Sequence, residues 1–287
     1  VGINGTRLFT TLYHKKLVVG RVQTPTLAML VERDGKISTF QKEKYFNVHV
    51  GKGDLTADLE KVKTEEEAKK IAAACEKKQA VVSSLKRETK TVNPPKLYDL
   101  TTLQREANRY YGFTAQQTLD LVQTLYEKKL LTYPRTDSQF ITDDMEDTAR
   151  QVISIVCRQL PLFSGVSVTP DIAHVTDNSK VTDHHAILPT VQLEKQDVSA
   201  LPQSEQKILN LVGMRLLCAT GEKHTYAETQ ITLSCKDYAF KTKGKTVVQN
   251  GWKAIEELFK ASLKTKEKDD PMKSLPEVHE GDVLDGV

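Results

Sequence analysis

The spacing of apolar residues divides the first ninety residues into a helical part and a mixed part. Residues 6–14 and 21–34 repeat apolar positions every three or four residues, which predicts two helices. Pro25 should then lie near the first turn of the second helix, where proline is tolerated. Residues 44–90 predict two short strands, a charged helix and a longer strand, so an α+β stretch follows the two helices.

Beyond the consecutive Pro94 and Pro95, which mark a junction, the pattern becomes helical again. Gly112 lies in a short link between two of the predicted helices and favours a helix-turn-helix-like corner. Thr114 and Gln117 have the spacing of a capping box for the second of these helices. The apolar face of that helix is expected to carry Leu119, Val122, Leu125 and Tyr126. The helices predicted in this block are at about 100–110, 115–129, 143–158 and 203–219.

The last part of the chain alternates with the period of a strand. In TYAETQITLSCKDYAFKTKG, the residues expected on one buried side are Ala227, Ile231, Leu233 and Cys235. The order helical, β-rich, helical, β-rich predicts a multidomain α+β chain. We infer that the helical block is inserted into a β-rich domain built from both of its flanks. The run SLKTKEKDDPMKS, at 262–274, is expected to be a solvated loop.

Charge is balanced over the chain but uneven along it. The 287 residues carry 28% charged residues and a formal net charge of only +3, which excludes a strongly basic tail or an acidic disordered chain. Residues 1–45 contain eight Lys or Arg and three acids, which gives +5. A polyanion would therefore meet the N-terminal part first. An ordinary solvated helix surface explains the same excess equally well.

The cysteines and the termini give weaker indications. The four cysteines are far apart and form no C-x-x-C pair, so they are interpreted as reduced, mostly buried thiols. No apolar run approaches the length of a membrane span, and no secretory pattern is present at the N-terminus. Because the sequence starts without methionine and ends in a strand-like run, we expect a piece of a longer, intracellular protein.

The stretch LLTYPRTDS, residues 130–138, raises the first chemical question. A tyrosine after a helix usually packs its ring on the core, and Tyr133 can be interpreted in that way. A tyrosine that attacks a phosphodiester would use the neighbours seen here. Its phenol, with a pKa of about 10, needs a base or positive charge nearby, and Arg135 offers a planar cation to the attacked phosphate.

Two further stretches contain groups that bind phosphates. In TDHHAILPT, residues 182–190, the adjacent histidines point to different sides, so at most one should face a given site. A structural or surface pair is the alternative, and a metal pair is disfavoured because helical i, i+4 spacing is lacking. GRVQTPT, residues 20–26, would suit phosphate contacts at a helix N-terminus. A cap that serves only the helix is equally simple.

Taken together, the motifs resemble those of the type IA DNA topoisomerases, more the topoisomerase III branch than bacterial topoisomerase I. The matching stretches occur in the family's order along nearly the whole chain. They are VGINGTR, VGRVQTPTLAMLVERD, PPKLYDLTTLQREAN, LLTYPRTDS and TDHHAILPT, with a weaker echo at QNGW. Each motif alone would be unspecific, but the combination is specific.

The resemblance implies a role for particular residues. Tyr133 matches the nucleophile that cleaves one DNA strand and keeps its 5′-phosphate, and Arg135 matches the arginine that stabilises the scissile phosphate. His184 matches the histidine that contacts the phosphate, while His185 fills a variable position and receives no role. The residues that match the single-strand groove are Arg7, Arg21 and Gln23.

The resemblance also implies an architecture, an open piece of the type IA toroid. The predicted domains are part of the helical DNA-groove domain (1–40), the first part of a β-rich arch or gate domain (41–95), the helical domain with the nucleophilic tyrosine (96–220) and the second part of the arch (221–287). Cleavage, strand passage and religation would conserve bond energy, so ATP is not expected to be required.

One part of the family pattern is missing. The family needs Mg²⁺ held by an acidic cluster of an N-terminal domain, and no strand followed by D-x-D-x-E occurs here; TDDMED has the wrong order. We therefore expect no metal ligands in this chain, with Mg²⁺ bound by residues upstream of it. Alone, the chain is expected to bind single-stranded DNA weakly and to relax no supercoiled DNA.

The implied partners are single-stranded and negatively supercoiled DNA. The resemblance leaves open a helicase or a single-strand-binding protein as a protein partner. A monomer without membrane association is expected, in the cytoplasm of a bacterium and associated with its nucleoid.

Two other classes of protein share part of this pattern. A tyrosine recombinase or rolling-circle relaxase also forms a phosphotyrosine, but the dispersed arginines or the histidine triplet that these enzymes use are not visible. A non-enzymatic nucleic-acid-binding module would use the helix-turn-helix corner, and Tyr133 would merely pack. Exchange of Tyr133 for phenylalanine separates the last class from the enzymes.

Overall fold

The structure is a computed structural model that describes residues 2–263 and 275–287. The predicted solvated loop at 262–274 lies outside the described residues from residue 264 onward. The chain forms two compact units. The first comprises Val1–Val48 and Glu60–Ala73, and the second comprises His49–Leu59 and Ala74–Val287.

Eight α-helices and six strands occur in the described part of the chain. The helices are α1 (Gly2–Tyr13), α2 (Gln23–Ser38), α3 (Glu65–Cys75), α4 (Leu100–Tyr111), α5 (Ala115–Glu127), α6 (Glu146–Gln159), α7 (Gln203–Ala219) and α8 (Lys253–Ser262). The strands are β1 (His49–Lys52), β2 (Leu55–Asp58), β3 (Ala80–Val92), β4 (His224–Cys235), β5 (Tyr238–Gln249) and β6 (Val283–Leu284). All the helices predicted from periodicity are present, with ends shifted by a few residues. None of the helices among the described residues is long and apolar enough to cross a membrane.

In the first unit, α1 and α2 form as predicted but bury no residue. Pro25 is the third residue of α2, in its first turn. The apolar side of α2 stays open, and Leu27 and Leu30 are 60% and 62% exposed. A core among the described residues of this unit therefore does not explain the apolar positions of α1 and α2.

The second unit contains a six-stranded sheet with the order β1-β2-β5-β4-β3-β6 and antiparallel pairing throughout. Its centre is the hairpin β4–β5, paired from Cys235↔Tyr238 to Thr225↔Gln249. Three strands precede the helical block in the chain and three follow it. The sheet is thus assembled from both flanks of that block, while the domain boundaries at 40, 95 and 220 remain predictions.

One side of the central hairpin is buried, as the alternation predicts for Ile231, Leu233 and Cys235. Ala227 is only half-buried, whereas its neighbour on the opposite face is the buried Glu228. Its carboxylate accepts hydrogen bonds from Lys90 Nζ at 2.6 Å and from Gln230 Nε2 at 3.0 Å. The bond from Lys90 holds the pKa of Glu228 below its usual range.

The helical block has its own core, in which helices α4 to α7 bury large side chains. Its helix-turn-helix corner forms as the sequence predicts. Gly112 ends α4 in the left-handed region at φ 70°. Thr114 and Gln117 then form the reciprocal capping box, with Gln117 N donating to Thr114 Oγ1 at 3.1 Å.

Gly251 and Trp252 lie where the sheet passes into α8. Gly251 has φ 54°, and a Cβ on it would lie 2.5 Å from the carbonyl oxygen of Glu222. Trp252 N donates to that same oxygen at 2.9 Å, and Trp252 Nε1 donates to Val92 O at 3.3 Å. Trp252 therefore links the ends of β3, β4 and β5 to the helical block, and Gly251 allows this close approach.

Exchange of Gly251 for alanine should lower the free energy of unfolding by about 3 kcal/mol or more. The left-handed conformation costs a non-glycine residue about 1–2 kcal/mol, and the clash with backbone atoms adds about 1–3 kcal/mol. Gly112→Ala is the matched control, because Gly112 has φ 70° with nothing within 4 Å of the added Cβ. Urea unfolding of both variants measures the difference. Equal losses would show that the close approach at Gly251 carries no energetic weight.

Candidate active site

The segment 130–138 contains no helix or strand; it forms an isolated bridge between Leu131 and Pro189 and bends at Pro134. The carbonyl oxygen of Leu125 accepts hydrogen bonds from the amides of Leu130 and Leu131, at 2.8 and 3.3 Å, which fixes the start of the segment.

From Tyr133 onward, accessible and buried residues alternate along this segment. Tyr133 is half-buried and Arg135 is exposed, whereas Pro134, Thr136 and Ser138 are buried. The accessible positions of the motif thus carry Tyr133 and Arg135, and two of its hydroxyls are buried.

The inner side of this segment pairs with the segment that carries the two histidines. Thr132 N donates to Leu188 O at 2.9 Å, and Thr190 N donates to Leu130 O at 3.1 Å. Thr132 Oγ1 also donates to Ala186 O at 3.1 Å. The motifs that contain Tyr133 and His184 are therefore adjacent in space, although about fifty residues separate them in the chain.

Two more hydroxyls extend this pairing. Thr136 Oγ1 donates to His184 O at 2.8 Å and accepts a hydrogen bond from Ser138 N at 3.1 Å. Ser138 Oγ donates to Lys180 O at 2.8 Å. The sequence suggested that Thr136 and Ser138 serve the chemistry of Tyr133. In the structure, their hydroxyls instead bind carbonyl oxygens at the two ends of the histidine loop, residues 180–184. Alternating hydroxyl residues in TYPRTDS were the signal that could have shown this.

The result is a cluster of three rings at the accessible side. The ring centroids of Tyr133 and His184 are 4.3 Å apart at an interplanar angle of 40°. Tyr126, from the last turn of α5, makes an edge contact with Tyr133 at 5.5 Å. Tyr126 was predicted on the buried face of α5 but is 39% exposed, because it packs on Tyr133 rather than on the core.

Arg135 lies two residues beyond Tyr133, so their Cα atoms are at most about 7 Å apart. Its side chain is exposed, and no hydrogen bond or ion pair of Arg135 is found among residues 2–263 and 275–287. A planar cation with free donors is suited to bind an anionic oxygen of a phosphate in two places at once.

The two histidines differ as the sequence predicts for adjacent residues. His184 is exposed and contacts the ring of Tyr133. His185 is half-buried, and its Nδ1 lies 2.8 Å from the carbonyl oxygen of Ala186. Only His184 therefore faces the candidate site.

Two other tyrosines of the helical block are poor candidates for a nucleophile. Burial raises the pKa of Tyr98 and of Tyr111 well above the usual value, which disfavours their phenolates. Tyr98 Oη instead donates to Glu106, and Arg215 Nη2 donates to Tyr98 Oη at 3.3 Å. Arg215 also pairs with Glu106.

The buried cluster of Tyr98, Glu106 and Arg215 contacts the backbone of the segment that carries His184. Tyr98 O accepts a hydrogen bond from Ile187 N at 2.8 Å, three residues after His184. The motif PPKLYDLTTLQREAN contains two members of the cluster, Tyr98 and Glu106. Their third member, Arg215, lies more than a hundred residues away, and no spacing in the sequence points to it.

The predicted groove residues lie in the first unit. Arg7 is exposed on α1, Arg21 is exposed in the turn before α2, and Gln23 is the first residue of α2. Gly20 N donates to Thr24 Oγ1 at 3.0 Å in the turn before α2. The N-cap residue of α2, Val22, has no side-chain cap hydrogen bond, so the alternative of a cap that serves only the helix is not formed. The roles of the three groove residues remain predictions.

Side chains that could bind a metal ion do not converge in the described part of the chain. Residues 2–263 and 275–287 contain no group of three or more His, Cys, Asp or Glu side chains arranged to hold one. The four cysteines are free, and three of them are buried. These two ranges of the chain therefore do not fit a magnesium site.

Comparison with known proteins gives consistent family matches. The model of the family described as "DNA topoisomerase" matches residues 1–287. DNA topoisomerase 3 of Bacillus licheniformis is 36% identical and that of Bacillus subtilis is 35% identical, each over 99% of this chain and 40% of the relative. The structure of full-length topoisomerase I from Thermotoga maritima matches with a TM-score of 0.74 and 26% identity, over all of this chain and 46% of that one. The chain thus spans less than half of these relatives.

The alternation in the segment 130–138 predicts a contrast in stability. Arg135→Ala should change the free energy of unfolding by less than about 0.5 kcal/mol, because the side chain is exposed and unpaired. Ser138→Ala should cost about 1–2 kcal/mol, because it deprives the Lys180 carbonyl of its donor. Urea unfolding of the two variants measures both values. A larger loss for Arg135→Ala than for Ser138→Ala would contradict the assignment of sides.

Proposed function

The chain belongs to the type IA DNA topoisomerases, and we propose that it carries the strand-cleaving tyrosine of such an enzyme. The observation that carries the proposal is the contact between Tyr133 and His184 at an accessible surface, with the exposed Arg135 two residues further along the chain. Among the tyrosines of the helical block, Tyr133 alone combines partial exposure with a histidine neighbour and an unpaired cation in its own motif.

The proposed reaction is a transesterification on one DNA strand. Tyr133 Oη attacks the scissile phosphorus, the bond from phosphorus to the 3′-oxygen breaks, and a 5′-phosphotyrosine forms. The phenol loses its proton, and the departing oxygen gains one to become a 3′-hydroxyl. Religation reverses these bonds. One phosphodiester replaces another at each step, so the reaction needs no ATP.

Two side chains act on the phosphate in this proposal. Charge builds on the non-bridging oxygens as the phenol attacks, and preorganised donors stabilise it most effectively. The Arg135 guanidinium offers paired N–H donors to these oxygens. The exposed His184 imidazole, 4.3 Å from the Tyr133 ring, contacts the same phosphate.

The remaining parts of the chain are assigned by the family resemblance. We assign Arg7, Arg21 and Gln23 to a groove for single-stranded DNA, and the exposure of all three side chains is compatible with this assignment. The sheet of the second unit acts as the arch that carries the helical tyrosine block and opens as a gate in the type IA toroid. A second strand passes while the 3′-hydroxyl is held.

We propose that Mg²⁺ is bound by residues outside this chain. The steps proposed for Tyr133, Arg135 and His184 describe only what these three side chains do. The substrate proposed for the whole protein is negatively supercoiled DNA with single-stranded regions. It would act as a monomer in the bacterial nucleoid, with a helicase or a single-strand-binding protein as its partner.

Adduct trapping tests the nucleophile. A chimera in which this chain replaces the matching segment of the Bacillus subtilis relative is incubated with a 3′-labelled single-stranded oligonucleotide and Mg²⁺, then quenched with detergent. We expect label to migrate with the protein, because a 5′-phosphotyrosine retains the 3′ part of the strand. Tyr133→Phe should abolish the labelled band.

Tyr126→Phe is the matched control, since it removes the other accessible phenol of the ring cluster. Its adduct should persist at a comparable level. Loss of label in Tyr126→Phe with retention in Tyr133→Phe would move the nucleophile to Tyr126. If the parent chimera binds the oligonucleotide tightly but forms no adduct, the chain would be a DNA-binding module without a nucleophile.

The chain by itself should fail to relax negatively supercoiled plasmid, because Mg²⁺ ligands are proposed to lie outside it. It should also bind single-stranded DNA only weakly. Agarose gels of plasmid incubated with the purified chain and Mg²⁺ measure this, with the Bacillus subtilis relative as the active reference. Efficient relaxation by the chain alone would overturn the placement of the metal.

A further inference from the structure

We propose that Thr136 is a positioning residue, which holds His184 against Tyr133 through the hydroxyl bond to the His184 carbonyl. This inference rests on the proposed function, because it assigns a device that serves the same site. The inference goes beyond the proposed function because neither the family motif nor the proposed chemistry gives Thr136 a role.

The histidine loop is tied at both ends to hydroxyls of the tyrosine segment. Ser138 Oγ binds the carbonyl oxygen of Lys180 at 2.8 Å, and Thr136 Oγ1 binds that of His184, also at 2.8 Å. Between these points, Thr182 and Asp183 are exposed and make no such tie to the tyrosine segment. The two hydrogen bonds therefore fix the distance between the ends of the loop and the position of its last residue, His184.

Thr136 has the better position of the two for controlling the imidazole. It is 8% exposed, and its hydroxyl both donates to His184 O and accepts from Ser138 N. Its carbonyl accepts from Leu100 N at 3.1 Å, which anchors Thr136 to the start of α4. The donor that fixes the His184 backbone is thus itself immobilised from two sides.

The link from this bond to the chemistry is short. The His184 side chain branches from the residue whose carbonyl Thr136 holds, and its ring lies 4.3 Å from the Tyr133 ring. Without the Thr136 hydroxyl, the His184 carbonyl loses its donor and turns toward water. The imidazole would then leave the Tyr133 ring, and a displacement of about 1 Å is enough to slow a reaction by as much as 100-fold.

The test compares Thr136→Val, which has nearly the same shape without a hydroxyl, with Thr136→Ser, which keeps the hydroxyl. In NMR spectra of the chain with labelled histidine, the His184 ring protons report the ring current of Tyr133. His184→Gln assigns these signals, and Tyr133→Ala gives their positions without the tyrosine ring. We expect Thr136→Val to shift them toward the Tyr133→Ala positions and Thr136→Ser to leave them as in the parent.

Thr220→Val is the matched control. Thr220 is fully buried, and its hydroxyl also donates to a backbone carbonyl, that of Leu216 at 2.9 Å, away from the histidine loop. Its His184 signals should equal those of the parent. Unchanged His184 signals in folded Thr136→Val, or a shift of equal size in Thr220→Val, would overturn the proposal.

A second variant covers the case in which Thr136→Val does not fold. Thr136→Ala also removes the donor to His184 O and introduces no extra methyl group, so it should shift the His184 signals in the same direction as Thr136→Val. A folded Thr136→Ala variant with parental His184 signals would then overturn the proposal.

Adduct formation in the chimera separates positioning from general stability. Thr136→Val should lower the rate of adduct formation on the order of 10- to 100-fold with an unchanged oligonucleotide Kd, and Thr136→Ser should restore the rate. A parent chimera without adduct would refute the proposed function, while the NMR comparison would still decide whether Thr136 holds His184. A normal rate in Thr136→Val would overturn the positioning role.

Discussion

The candidate site depends on hydrogen bonds between two segments that are distant in sequence, the tyrosine segment (130–138) and the histidine segment (180–190). Backbone groups of Leu130 and Thr132 bind the histidine segment directly, and the hydroxyls of Thr132, Thr136 and Ser138 bind its carbonyl oxygens. Buried polar groups must find partners, so the pairing leaves these segments little freedom. Tyr133 and Arg135 stay accessible next to the buried Thr136 and Ser138.

The rest of the second unit supports this pairing. α5 delivers the tyrosine segment, and α4 begins at the Leu100 amide that Thr136 binds. The Tyr98–Glu106–Arg215 cluster buries a charge pair next to the backbone of the histidine segment. Such a cluster adds little net stability but fixes an arrangement, because each member loses a buried partner if another moves. Trp252 connects this block to the sheet.

Much of this could be predicted from the sequence because it depends on local rules. The helices follow from apolar periodicity, the corner at Gly112 from glycine and the capping box, and the site candidates from motifs read together. The α+β content and the family follow from the same information. The ring contact between Tyr133 and His184 is compatible with the roles predicted for them, which remain to be tested.

The features that the sequence did not reveal depend on long-range contacts. Arg215 joins Tyr98 and Glu106 across more than a hundred residues, and no local pattern encodes that pair. Thr136 and Ser138 were assigned to chemistry because hydroxyls beside a tyrosine can serve either catalysis or structure. Only the groups to which they are hydrogen-bonded show which of the two roles applies. Tyr126 was predicted to be buried because apolar periodicity shows which residues share a helix face. It does not show that the last residue of that face packs on Tyr133 instead of the core.

The most direct measurement is to locate the nucleotide on the trapped protein by mass spectrometry. Trypsin separates the candidates, since Tyr133 lies in the peptide Leu130–Arg135 and Tyr126 lies in Tyr110–Lys128. The account predicts that the chimera, trapped on single-stranded DNA and digested with nuclease and trypsin, carries the nucleotide mass on Leu130–Arg135. A nucleotide on Tyr110–Lys128, with Leu130–Arg135 unmodified, would contradict it.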